Sequence, residues 1–131
     1  MRNIEIFNLI TAEIFARSYA SFPNEIHVFS DEIAQSVKEY YPEEIQLEVA
    51  NEARESVFST VDWLGRSGYI FVKDEQDIGF GRVTLTSKTL LLLDQIPSSL
   101  QHSMGHEFIK QSKALSSVAV VEAVKLLFST Q

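Results

Sequence analysis

Two histidines four residues apart, His102 and His106, with Glu107 directly after, are the arrangement in this chain nearest to a metal site. At that spacing two imidazoles share one helix face and a carboxylate could complete the ligand set. The order is not His-Glu-x-x-His, however, and Gly105 lies between the pair, so the expectation is two exposed histidines and no metal. Gly79-Phe80-Gly81 lacks the third glycine and the following helix that a phosphate cradle needs, and reads as part of a hairpin tip. Glu43-Glu44 and Asp74-Glu75 are adjacent pairs, as in solvated turns, whereas acid/base carboxylates must face each other across a pocket. No serine sits in a Gly-x-Ser-x-Gly elbow, and the absence of cysteine removes thiolate nucleophiles, disulfides and cysteine zinc sites. Tyr40-Tyr41 and Trp63 read as core or interface anchors, and His27 as a half-buried residue beside the start of a helix. No catalytic, cofactor-binding or metal residue is assigned, and the expectation is a non-catalytic protein.

The elements that would carry any other function form one unit of 131 residues, 45% of them apolar, which suits a single globular domain. Eleven Lys and Arg against eighteen Asp and Glu give a net charge of −7, which excludes the diffuse phosphate attraction of a bulk polyanion binder. Glu5 and Glu13 interrupt the apolar N-terminal stretch where a signal peptide needs a continuous run. The strongest apolar run, Leu115 to Phe128, contains Ser116, Ser117, Glu122 and Lys125 and falls short of a membrane span. A soluble, cytoplasmic protein with no membrane partner is expected.

Apolar spacing predicts a helix from about Asn3 to Tyr19, then a short extended piece at Ile26, Val28 and Phe29. Ser30 stands as the N-cap of a second helix that reaches about Tyr40, with Asp31 and Glu32 in its first turn. Pro42 stops it and opens the next, in which Ile45, Val49, Ala53, Val57, Val61 and Leu64 recur every three or four residues. That helix extends to Arg66 before Gly68, or is broken near Ala50. Tyr69 to Val72 and Arg82 to Leu85 read as hairpin strands around a polar tip, Lys73 to Gly81. Thr86 caps a helix through Leu93 that ends by Pro97, and one or two more helices follow to Phe128.

This order resembles a winged-helix domain of the bacterial regulator type. The segment Val61-Asp-Trp-Leu-Gly-Arg-Ser-Gly-Tyr-Ile70 is similar to the close of that family's third helix onto its first wing strand. Val83-Thr-Leu-Thr-Ser-Lys88 is similar to the second wing strand entering a Leu-Thr-x-x-Gly helix start, with Thr89 at the place of the glycine. The resemblance implies an α+β, mostly helical fold with a three-helix core and a β-hairpin wing in residues 1–97; residues 98–131 read as a C-terminal extension of extra helices and a candidate dimerisation element. The link between the second and third helices is longer than a helix-turn-helix allows, so the third helix either starts at Glu43 and is long or is preceded by an inserted turn.

By analogy the third helix would enter a DNA groove and the wing tip would touch phosphates. From Pro42 to Ile70, however, Arg54 and Arg66 stand against Glu43, Glu44, Glu48, Glu52, Glu55 and Asp62, a balance of −4; the tip sets Lys73 against Asp74, Glu75 and Asp77. Protein association, with the C-terminal helix forming a homodimer, is therefore the leading expectation. The alternative is a dimeric DNA-binding transcriptional regulator using Arg54, Ser59, Thr60, Arg66, Arg82 and Lys88, with Ser56 nearby. The C-terminal helix is apolar around most of its circumference, which implies contacts on more than one side. Either it packs within its own chain, or Leu115, Val118, Val121, Val124, Leu127 and Phe128 form a homodimer interface.

Overall fold

The computed structural model describes residues 2–94 together with Val124, Lys125 and Phe128. The fold is α+β: helices α1 (Arg2–Ser21), α2 (Ser30–Lys38), α3 (Gln46–Arg66) and α4 (Ser87–Asp94) with strands β1 (Ile26–Phe29), β2 (Ile70–Gln76) and β3 (Gly79–Leu85). The strands form one antiparallel sheet in the order β1-β3-β2. His102, His106, the dimer candidates Leu115, Val118, Val121 and Leu127, and the boundary at residues 97–98 lie outside the described residues.

α1 is the centre of the molecule. Leu9, Ile10, Ile14 and Phe15 are fully buried, and the polar Asn8, Thr11 and Glu13 are buried with them. The helix keeps these polar groups bonded locally: Asn8 Nδ2 donates to the Ile4 carbonyl at 3.0 Å, and the Thr11 hydroxyl to that of Phe7 at 2.9 Å. Glu13 Oε1 accepts from Arg17 at 3.3 Å, while its Oε2 has no partner. Burial therefore pushes the Glu13 carboxyl above its ordinary value, with Arg17 opposing the shift.

Around α1 pack Ile33, Ala34 and Val37 of α2, the stripe Val49, Ala53, Val57, Val61 and Leu64 of α3, and Val28, Ile70, Phe80, Val83 and Leu85 of the sheet. A 3₁₀ turn, Glu43–Ile45, precedes α3, and α3 then runs through Ala50 without a break. The long link thus holds an inserted turn as well as a long helix. α2 stops at Lys38, four residues before Pro42, which flanks the 3₁₀ turn with an extended backbone. At the far end of α3, Gly68 takes a left-handed φ of 84°, its N–H donates to Gly65 and that of Tyr69 to Leu64. This paired closure satisfies the last carbonyls and turns the chain straight into β2.

Two expectations are corrected here. The hairpin is not two short strands around a nine-residue tip: pairing continues to Gln76↔Gly79, leaving only Asp77 and Ile78 in the turn. A two-stranded ladder is held by its backbone, so polar side chains facing solvent do not prevent it. Ser30 is not the N-cap of α2 but its first residue; its N–H and hydroxyl both point to the Ile78 carbonyl, at 3.0 and 3.3 Å. The hairpin turn is fastened to the start of α2.

Thr86 does cap α4, accepting from Thr89 N–H at 3.3 Å and donating to the Gly68 carbonyl at 2.7 Å. Thr89, standing where the winged-helix pattern has glycine, is fully buried and donates its hydroxyl to the Tyr69 carbonyl at 2.6 Å. The side chain that departs from the pattern ties α4 to the start of β2. Opposite β1, β3 carries one extra residue between the pairs Ile26↔Val83 and Val28↔Phe80, and Arg82 absorbs it with a φ of 55°.

Candidate interaction face of the third helix and hairpin

The cations that could meet phosphates are already engaged. Arg54 is half-buried, donating to Asp31 of α2 at 2.9 and 3.0 Å and to Asn51 at 2.9 Å. Arg66 pairs with Asp62 one turn back at 3.0 Å. Arg82 and Lys73 converge on Glu25, at 3.3 and 2.8 Å, and these donors, Lys73 foremost, hold the Glu25 carboxyl below its ordinary value. Lys88 donates to the Ser67 carbonyl at 3.0 Å and stands 4.3 Å over the Tyr69 ring. Ser59 is exposed and Ser56 half-buried. Thr60, expected as a contact, is only 3% exposed and belongs to the inner face of α3, so it cannot reach a ligand there.

The structure does not assemble these candidates into one basic patch. Arg54 and Arg66 are twelve residues apart on α3, roughly 18 Å along its axis. Arg2 is held by Glu48 and Glu52 at 3.1 and 2.6 Å, and Arg17 by Glu13 and Glu32 at 3.3 and 3.7 Å. Every arginine of the chain is thus in an ion pair with one of the chain's carboxylates. Exposed Glu43, Glu44, Glu55, Asp74, Glu75 and Asp77, by contrast, have no ion-pair partner among the described residues.

β2 is an edge strand, its second side unpaired among the described residues. Between it and the last turns of α3 runs a groove of about 410 Å³, walled by Val61, Asp62, Gly65 and Arg66 on one side and Ile70 to Glu75 on the other. Phe71 on its rim is 56% exposed, and a methyl group placed on Gly65 would meet nothing within 4 Å.

A second cavity, about 550 Å³, opens where Ile4, Phe7 and Asn8 of α1 meet Trp63 and Ser67 at the end of α3, Tyr69, Lys88, Lys125 and Phe128. Trp63 stacks on Tyr69 at 5.8 Å and receives Phe7 and Phe128 edge-on at 5.4 and 5.8 Å. Sequence reasoning did not find this cavity. Its only sequence signal is the set of four aromatics, and Phe128 is nearly sixty residues from the nearest of the others.

The remaining candidates divide. Val124, proposed for the dimer interface, is fully buried within its own chain, and Phe128 is half-buried against Phe7, Trp63 and Tyr69. His27 is exposed rather than half-buried, stacked on Phe29 at 5.7 Å. Tyr40 packs against the core, as expected of an anchor, while the Tyr41 hydroxyl donates to the Glu5 carboxylate. Burial first, and Glu5 second, raise the Tyr41 hydroxyl above its ordinary value. In Gly79-Phe80-Gly81 the phenylalanine is buried and both glycines belong to β3. Among the described residues no group of three acidic or imidazole side chains could hold a metal, and no helix is long and apolar enough to cross a membrane. Comparison of the chain with known protein families, with curated proteins and with solved structures finds no match.

Proposed function

We propose that this chain is a non-catalytic, winged-helix-like protein that works by protein association, and that its partner presents an extended, basic segment to β2 and the groove beside α3. Helix, strand, helix, helix, hairpin and helix, with the sheet order β1-β3-β2, support the winged-helix-like reading. A cytoplasmic location belongs to the same reading.

The observation that carries it is the pairing of all the arginines with the chain's own carboxylates. DNA affinity grows with the number of phosphates neutralised and counterions released, and an arginine already neutralised releases few. Reaching a phosphate would break an existing ion pair while exposed carboxylates on the same face repel the backbone. Those carboxylates suit Lys and Arg, and the edge of β2 left unpaired among the described residues supplies backbone donors and acceptors for a strand added beside it. The reading needs no homodimer, since Val124 and Phe128 already pack on their own chain.

Fluorescence anisotropy at low and moderate salt tests it, with three labelled probes: an extended Lys/Arg-containing peptide, its Glu-containing counterpart and a DNA duplex. The basic peptide is expected to bind, with amide shifts concentrated in residues 70–76, and Asp74→Lys with Glu75→Lys to abolish binding. Salt-dependent binding of the duplex, with no preference for the basic peptide, overturns the proposal in favour of a DNA-binding regulator.

A further inference from the structure

The aromatic cavity carries an inference independent of the peptide groove. Its lining is mostly apolar, and its charged lining residues among those described are two lysines, Lys88 and Lys125, with no carboxylate. That composition is unusual in a chain of net charge −7. Lys73 faces acid, whereas Lys88 faces an aromatic ring and a carbonyl. Its ammonium has three N–H donors and gives one to Ser67, which leaves donors for a ligand.

The ring geometry adds a second observation. Tyr69, at the cluster's centre, is 2% exposed, yet Trp63 stacked upon it is 40% exposed and lines the cavity. An indole packed on one side by Tyr69 and met edge-on by Phe7 and Phe128 presents its remaining surface to an open space of about 550 Å³. Small-molecule sites span roughly 300–1,000 Å³, are mostly apolar, and fix their ligand with a few polar groups. Here the apolar part is aromatic and the polar part is cationic.

We infer that this cavity binds a flat apolar anion, an aromatic carboxylate of one or two rings, with the ring against Trp63 and Phe128 and the carboxylate on the Lys88 ammonium, in the positive field to which Lys125 adds. The ring gains contact with the indole, and the carboxylate gains charge-assisted hydrogen bonds in surroundings less polar than water.

Trp63 is the only tryptophan, so its indole N–H gives a single resolved signal in an amide spectrum of the labelled chain. The probes are 2-naphthoate and its neutral isostere 2-naphthamide. Naphthoate is expected to shift the Trp63 signal saturably, with the amide binding about tenfold more weakly, the share of one charge-assisted hydrogen bond. Lys88→Gln and Lys125→Gln should each weaken naphthoate several-fold and leave the amide unchanged, and Lys88→Arg should restore most of the loss. Two lysine variants keep the test open should one unfold, which thermal melting reports. Equal affinity for both probes, no shift of the indole signal at millimolar naphthoate, or indifference to both lysine substitutions each overturns the assignment.

Discussion

Replacing Gly79 by alanine tests the account of how the hairpin is fastened. A Cβ on Gly79 would lie 2.1 Å from the Val28 carbonyl oxygen and 2.9 Å from Phe29 Cα. Both are backbone atoms of β1, so no rotamer change relieves the clash, and a normal contact requires the strands to part by roughly 1 Å. Parting them loosens Val28↔Phe80, Phe29↔Gly79 and the Ser30 bonds to Ile78. Two net hydrogen bonds at about 1 kcal/mol each, with partial exposure of Val28 at about 1 kcal/mol, give a loss of ~3 kcal/mol. With a urea slope of ~2 kcal/mol/M the unfolding midpoint falls by about 1.5 M. The assay is urea unfolding followed by Trp63 fluorescence and far-ultraviolet dichroism. Gly65→Ala is the control: its Cβ meets nothing within 4 Å inside α3, so the same substitution should stabilise by ~1 kcal/mol. A Gly79→Ala loss below about 1 kcal/mol would refute the close approach of β1 and β3 as the constraint on that residue.

Thr89→Gly, which restores the residue of the winged-helix pattern, should destabilise by ~2 kcal/mol, through loss of the hydrogen bond to Tyr69, a buried methyl and helix propensity; thermal or urea unfolding measures it. For Glu13 the sign follows from burial. Its carboxyl is raised in the folded chain, so the contribution is fully present below the ordinary carboxylate value and declines as pH rises through the raised one. Glu13→Gln should therefore gain melting temperature relative to the parent across that window and converge with it in more acid solution. Glu25→Gln combined with Asp31→Asn removes the partners of Lys73, Arg82 and Arg54, and should raise duplex DNA affinity at low salt well above the parent's. No change in anisotropy would mean that intramolecular pairing is not what keeps DNA away.

The periodicities of α1 and α3 and the β-prone runs around the hairpin were legible because burial imposes them on single segments. Val49, Ala53, Val57, Val61 and Leu64 face the core as their spacing requires. What escaped depends on chains meeting across long sequence separations. Asn8, Thr11 and Glu13 are polar by type, and their burial follows only from the other elements that surround α1. Ser30 has the composition of a cap, yet its hydroxyl is taken by Ile78, forty-eight residues away. The acid balance of α3 was readable from composition, but the neutralisation of Arg54 by α2 and of Arg82 by Glu25 was not. Thr60 illustrates the finer limit: one step of helical phase turned an expected contact residue inward.

The charges on β2 have one more consequence. A seven-residue strand with a side that is open among the described residues is a template on which copies of the same chain could polymerise edge to edge. In a parallel, in-register junction Asp74 and Glu75 would face their own counterparts, and that like-charge contact disfavours the pairing. Neutralising those carboxylates would remove that repulsion, and the neutralised variant would be the one more inclined to form fibrils.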